Sequence, residues 1–310
     1  MALPENAQAL PAKRRLVTSP DSALVSRPDR REGGSSYDIE TWKKSDVPAL
    51  VALEQLWAPW LRKSQADFLY IADHFPDVQR IARPKTDPDT VAGQTTVIQI
   101  NWGGPEKDDF TTWDKITGGP DGSVKNSNFS ETFRRDGNTY VLTAATVDPT
   151  IRIHGERLAP QLVTSVVDMA SRDPNILYVI SAFRPSDLGK YEQEHGPIDF
   201  DKYVKMQRGD GELHDTWLRG VTNLGMIPIR TIKDSMRVTA TREEFEGYKR
   251  DYHRELWKPI TEDRRTWLCG ETGTWQIVGD PHNPDPNAVY AEYKEDNLLG
   301  LVYSKQPSSH

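Results

Sequence analysis

At 310 residues the chain exceeds the ~100–200 residues of a typical domain, so one enlarged domain with tails or two domains are admissible. Lys and Arg number 39 against 46 Asp and Glu, a net charge of -7 that leaves no electrostatic footprint for nucleic acid. The single cysteine, Cys269, excludes an intrachain disulfide and fits a reducing, cytoplasmic setting, and no apolar run approaches the ~20 residues that a membrane helix needs.

Residues 1–37 mix Pro, Ala, Ser and Arg without an apolar h-region, so no secretory signal is expected there. Lys13-Arg14-Arg15 gives a basic bias, but Glu5, Asp21, Asp29 and Glu32 argue against a transit peptide, and the segment reads as a flexible, solvated extension. The first predicted helix spans residues 46–62, with Ser45 as N-cap, Pro48 in the first turn and an apolar stripe of Val47, Leu50, Leu53, Leu56 and Trp57. Residues 95–101 alternate as a strand around Val97. The glycine cluster at 118–123 lacks Gly-Lys-Ser/Thr and reads as a turn. Trp102 and Trp113, with Asn101 and Asp114, either shape a pocket beside this strand or close a loop.

The apolar run 139–147 predicts a strand, and Leu158, Leu162, Val166 and Ala170 lie on one face of a helix that runs from Gly155 to Arg172. Between them the chain turns through Pro149 and Gly155. The first N–H groups of such a helix lack intrahelical partners and sit at the positive end of its dipole, which favours an anionic group. A third strand is expected at 176–183, short helices at 199–206 and 212–224, and strands at 226–230 and 235–239. Thr241 and Glu244 form a capping box that opens a helix to about Tyr252. Residues 266–269 and 274–278 form a hairpin through Gly270–Gly273, with a third arm at 288–293. The domain reading is thus an extension at 1–37, a main α/β domain at 38–258 and a Trp-rich β extension at 259–310 packed on it.

The spacing of Val147, Pro149, Arg152, Gly155 and Leu158 resembles the acyl-CoA-binding loop of the GNAT family of N-acyltransferases, written Arg or Gln, two residues, Gly, one residue, then Gly or Ala. Arg157 stands where Gly or Ala is expected; its guanidinium either points away or adds a charge-assisted bond to phosphate. The strand, strand, helix, strand order resembles the β-β-α-β core of that family, over roughly residues 46–249. This likeness implies an α/β GNAT-like fold with a mixed central sheet, in which the strands flanking the helix splay apart and an acyl-pantetheine arm lies between them like an added strand.

The resemblance further implies acyl-CoA as cosubstrate, with the pyrophosphate held at Arg152, Ile153, His154, Gly155, Glu156, Arg157 and Leu158, and the pantetheine arm at Val147. The acyl carbonyl would meet the strand near residues 145–147, and Tyr191 would protonate the thiolate. Residues around Ser181 also resemble the GNAT-like domains of polyketide loading modules and malonyl-CoA decarboxylases, where a Ser or Thr and a later His act on a malonyl thioester. Val221 and Thr222 occupy the places where that His is expected, and His214 lies well upstream. Three readings follow. The first is acyl transfer from acyl-CoA, or from a carrier-protein thioester, to an amine or thiol; the others are decarboxylation or S-acyl transfer of a malonyl thioester, and an inactive acyl-CoA-binding module. A small-molecule acceptor or an acyl-carrier protein is the expected partner.

Other chemistry has less support. His154, His195, His214, His253 and His282 have no zinc spacing, so no metal is expected. No Gly-x-Ser-x-Gly elbow occurs. Cys269 lies in an apolar arm and reads as an inert thiol, and the tryptophans read as core.

Overall fold

The computed structural model describes residues 35–107, 112–116, 133–151, 153, 156–280 and 282–305. The expectations for residues 1–34, for the turn cluster 118–123 and for Arg152, His154 and Gly155 lie outside them.

Among the described residues ten strands form one sheet: β1 (Tyr37–Glu40), β2 (Arg80–Pro84), β3 (Gly93–Ile100), β4 (Thr139–Val147), β5 (Tyr178–Phe183), β6 (Ile227–Ala240), β7 (Lys258–Pro259), β8 (Thr266–Leu268), β9 (Thr274–Ile277) and β10 (Ala291–Ser304). Their order is β1-β2-β3-β4-β5-β10-β9-β8-β7, and β6 also pairs with β10. Every pairing is antiparallel except β4 with β5. A parallel pair needs a crossover. Of the helices α1 (Val47–Leu53), α2 (Gln65–His74), α3 (Trp113–Ile116) and α4 (Leu158–Arg172), it is α4 that supplies it.

The sheet is covered on both faces. Ile81 of β2 packs with Leu50 and Leu53 of α1 and Phe68 and Ile71 of α2, while its neighbour Ala82 packs with Leu158 and Leu162 of α4. Successive strand residues point to opposite faces, so α1 and α2 lie on one side and α4 on the other. Every residue of β3 is accordingly buried. After β5 come α5 (Leu188–His195), α6 (Phe200–Tyr203), α7 (Thr216–Asn223) and α8 (Arg242–Asp251). The Thr241 side chain accepts the Glu244 N–H and the Glu244 carboxylate accepts the Thr241 N–H, closing the expected capping box.

Three elements differ from expectation. The helix read over 46–62 ends at Leu53 and continues only as 3-10 turns at Glu54–Leu56 and Pro59–Leu61; its N-cap is Asp46. Pro59 disfavours helical geometry in Ala58, which is extended at φ -55°, ψ 141°. The two strands read at 226–230 and 235–239 are one strand, β6, whose register shifts near Asp234 (φ 45°), where its N–H donates to Asp296 Oδ1 at 2.8 Å. The arm read at 288–293 runs on to Ser304 as β10, in the middle of the sheet.

Trp60 joins the C-terminal strands to the segment after α1. Its ring centroid lies 5.2 Å from those of Tyr248 and Tyr252, 5.5 Å from Trp275 and 5.6 Å from Tyr293, distances at which tilted and edge-on rings attract. Among the described residues, no helix is long and apolar enough to cross a membrane.

Candidate functional site

The pairing of β4 with β5 covers only Thr139 with Tyr178, Tyr140 with Val179 and Val141 with Ile180. Past that point β4 keeps its partner β3 on one side and, among the described residues, has none on the other. A bulge sits at the same place: Val97 faces Leu142 and Thr96 faces Ala144, leaving Thr143 as the extra residue. An extra residue strengthens the local twist and bends the strand. The Ser181 hydroxyl donates to the Leu142 carbonyl at 2.8 Å, filling the first place where the ladder fails. A cavity of about 820 Å³ occupies the gap, lined by residues 142–147 of β4 and 181–183 of β5.

One end of the cavity meets the start of α4, at Arg157, Leu158, Ala159 and Pro160. Arg157 is extended (φ -107°, ψ 101°), so the helix begins only at Leu158, and no side chain caps it. Proline in the first turn has no N–H to leave unpaired. Arg157 is exposed, and among the described residues its guanidinium has no partner. The Glu156 carboxylate accepts the Ser36 N–H at 3.0 and 3.2 Å and Gln161 Nε2 at 3.2 Å; hydrogen bonds from Ser36, then Gln161 and Ser35, hold its pKa below the usual carboxylate range.

The other end carries a partly buried ionic cluster. Arg184 Nε donates to both oxygens of Glu295 at 2.9 and 3.0 Å, and Arg184 Nη2 to Glu271 at 3.0 Å. Tyr293 and Asn297 also donate to Glu295, at 2.7 and 2.8 Å, and Tyr252 to Glu271 at 2.6 Å. Burial is the largest single influence and opposes the charge of Arg184, but Glu295, Tyr293 and Glu271 together outweigh it and hold the guanidinium pKa well above its ordinary value. Burial, reinforced by Glu271, raises the Tyr252 phenol, so it remains a donor. A Cβ on Gly189 of α5 would lie 2.1 Å from the Gly270 carbonyl oxygen, and Gly270 itself has φ +83°; this close approach sets Glu271 against the cavity wall.

Trp57 spans the gap. Its Nε1 donates to Thr146 Oγ1 at 3.0 Å, and the Arg184 guanidinium lies 5.3 Å from its ring centroid. One indole thus touches both β4 and the residue that follows β5.

Comparison with solved structures bears on this forked sheet. The loading GNATL domain of CurA from Lyngbya majuscula superposes with a TM-score of 0.54 at 14% identity, covering 87% of this chain and 98% of that one. This chain has a GNAT-like fold. The GphF GNAT-like decarboxylase, solved with isobutyryl-CoA, aligns at a TM-score of 0.50 and 22% identity over 64% of this chain and 90% of its own. No family model matches the sequence, and no curated protein matches it.

Within the GNAT-like fold, Val147, Glu156, Arg157, Leu158 and Ser181 all line the cavity, as do Trp113 and Trp57. Ile153 does not; its N–H donates to the Tyr37 hydroxyl at 3.0 Å. Tyr191 is also absent from the lining. Its ring packs against His195, Tyr203 and His214 at 4.5, 5.4 and 5.8 Å. Cys269 is buried, and burial raises its thiol pKa. Among the described residues no group of three or more His, Cys, Asp or Glu is placed to hold a metal.

Sequence reasoning missed Tyr37, Arg184, Glu271, Glu295 and Asn297, and read Trp57 only as part of an apolar stripe. One signal was available: Glu295 and Asn297 are polar residues two apart on the strand face that Ala291, Tyr293 and Leu299 otherwise make apolar.

Proposed function

We propose that this chain is a GNAT-type acyltransferase that moves an acyl group from acyl-CoA, or a carrier-protein thioester, to an amine or thiol. The observation that carries the reading is that one cavity connects the uncapped start of α4 with the unpaired edge of β4. A helix N-terminus suits a pyrophosphate, and an open strand edge suits the amides of an extended pantetheine arm. The thioester carbonyl would accept a β4 N–H near residues 145–147, where the developing oxyanion is stabilised. The acceptor nitrogen or sulfur attacks the carbonyl carbon and gives up its proton, the C–S bond breaks, and the leaving thiolate takes a proton, so that the exchange balances. Tyr191, the sequence-based candidate for that proton, packs off the cavity, whereas the Ser181 hydroxyl stands at the fork.

The position of Ser181 favours a second reading, decarboxylation of a malonyl thioester. There the bond to the carboxylate carbon breaks, carbon dioxide leaves, and the hydroxyl turns from the Leu142 carbonyl to donate to the enolate oxygen before protonation at carbon. Titration with acetyl-CoA and malonyl-CoA by calorimetry, followed by mass spectrometry in the presence of amines and thiols, tests both. An acetylated acceptor supports transfer. Acetyl-CoA formed from malonyl-CoA moves the assignment to decarboxylation, unchanged ligand to a binding module, and absence of binding overturns the acyl-CoA reading.

A further inference from the structure

The turn between β4 and α4 is fastened from the far edge of the sheet. Tyr37 opens β1, three strands from β4 in the sheet order, yet its hydroxyl donates to the Ile151 carbonyl at 3.1 Å and accepts the Ile153 N–H at 3.0 Å. Immediately before it, the Ser36 N–H holds the Glu156 carboxylate, and the Ser35 hydroxyl donates to Gln161 Oε1 at 2.7 Å on α4. Tyr37 is 4% exposed and lines the cavity. The start of β1 therefore pins the turn at Ile151 and Ile153 on one side and at Glu156 on the other.

Two consequences follow for an anion at the start of α4. The Ile153 N–H is spent on Tyr37, so among the described residues the donors near the helix start that face phosphate oxygens are its first-turn N–H groups and Arg157. The Glu156 carboxylate, a like charge beside those phosphates, is drawn toward Ser36 and Gln161. We infer that Tyr37 is a positioning residue for the nucleotide end of the site: it holds the β4–α4 turn so that the helix start and Arg157 face the CoA phosphates. This rests on the acyl-CoA reading above and adds a residue from outside the loop itself.

The test compares Tyr37→Phe, which keeps the ring and removes the hydroxyl, with the wild-type chain, using acetyl-CoA and acetyl-pantetheine as ligands in calorimetry. Acetyl-pantetheine carries the thioester and the arm but no pyrophosphate. The expected result is an affinity for acetyl-CoA about tenfold lower in Tyr37→Phe, with acetyl-pantetheine within about twofold. A merely structural role would weaken both ligands alike. Equal losses, or no loss, with intact wild-type binding overturn this inference alone; a wild-type chain that binds neither ligand overturns the acyl-CoA reading and this inference with it. Should Tyr37→Phe fail to fold, hydrogen exchange on the wild-type chain decides. The Ile153 amide should be protected before CoA is added, and fast exchange that slows only with CoA overturns the assignment.

Discussion

The Ser181 hydroxyl and the Leu142 carbonyl meet at 2.8 Å at the residue pair where β4 and β5 stop being partners. A side chain thus replaces the ladder bond that a continuing strand would have made, and the acceptor edge of β4 is open from there on. Under the decarboxylation reading the Ser181 hydroxyl turns from Leu142 to the enolate oxygen, and Ser181→Ala should lower turnover about 100-fold, the usual cost of deleting such a donor, with acyl-CoA affinity within about twofold. Steady-state kinetics beside calorimetry checks the split; parallel losses in both would place Ser181 in binding instead.

Arg157 occupies the position where the resembled loop wants a small residue, and it is exposed at the cavity mouth without a partner among the described residues. Arg157→Ala should weaken CoA binding about fivefold, the size expected of a charge-assisted bond at an exposed site. The deficit should shrink in high salt, since exposed charges are screened. Tighter binding by the variant would show that the side chain obstructs the loop.

The cluster of Arg184, Glu295 and Glu271 predicts a large stability effect. The Glu295 side chain is fully buried and carries bonds from Arg184, Tyr293 and Asn297. Glu295→Ala leaves the partly buried Arg184 guanidinium with Glu271 as its remaining carboxylate and should cost about 3 kcal/mol, read from urea unfolding. Replacing Arg184 and Glu295 together with apolar residues should recover part of that loss.

Glu192 of α5 should make stability depend on pH. One oxygen accepts the Ile198 N–H at 3.2 Å, the other is buried without a partner among the described residues, and burial raises the pKa. The folded state therefore holds this proton more tightly than the unfolded state. The stabilisation from protonation is fully present below the unfolded value of ~4.3 and is lost as pH rises through the raised folded value. Glu192→Gln should match the wild-type melting temperature near pH 4 and exceed it at pH 8. Equal melting curves at both pH values would refute this.

Local pattern carried much of the fold. Thr139–Val147 is a β-branched and apolar run bounded by turn residues, and it forms the strand with those limits. The apolar face of α4 and the Thr241 capping box were equally readable, because each depends on residues within a few positions. The fork was not readable to the residue, since it depends on where the registers of β4 and β5 end. Neither was β10: Glu295 and Asn297 break its apolar alternation, and their burial makes sense only with Arg184, more than a hundred residues away. The placing of Tyr191 off the cavity was unreadable for a related reason. Its distance from β5 suited the expected role, but α5 turns its ring toward His195 and Tyr203.

The central place of β10 has a consequence for how the chain acquires its shape. On the ribosome, β5 and β6 both present open edges until residues 291–304 have emerged, with residues 242–290 made in between. Pairings so distant in sequence close slowly, because the entropy of the intervening loop is lost before the contacts compensate. The cavity wall formed by Arg184 and Asn297 is therefore among the last parts of the molecule to exist, and a chain interrupted before Ala291 would expose one free edge of β5 and the whole of the long β6, a template for aggregation.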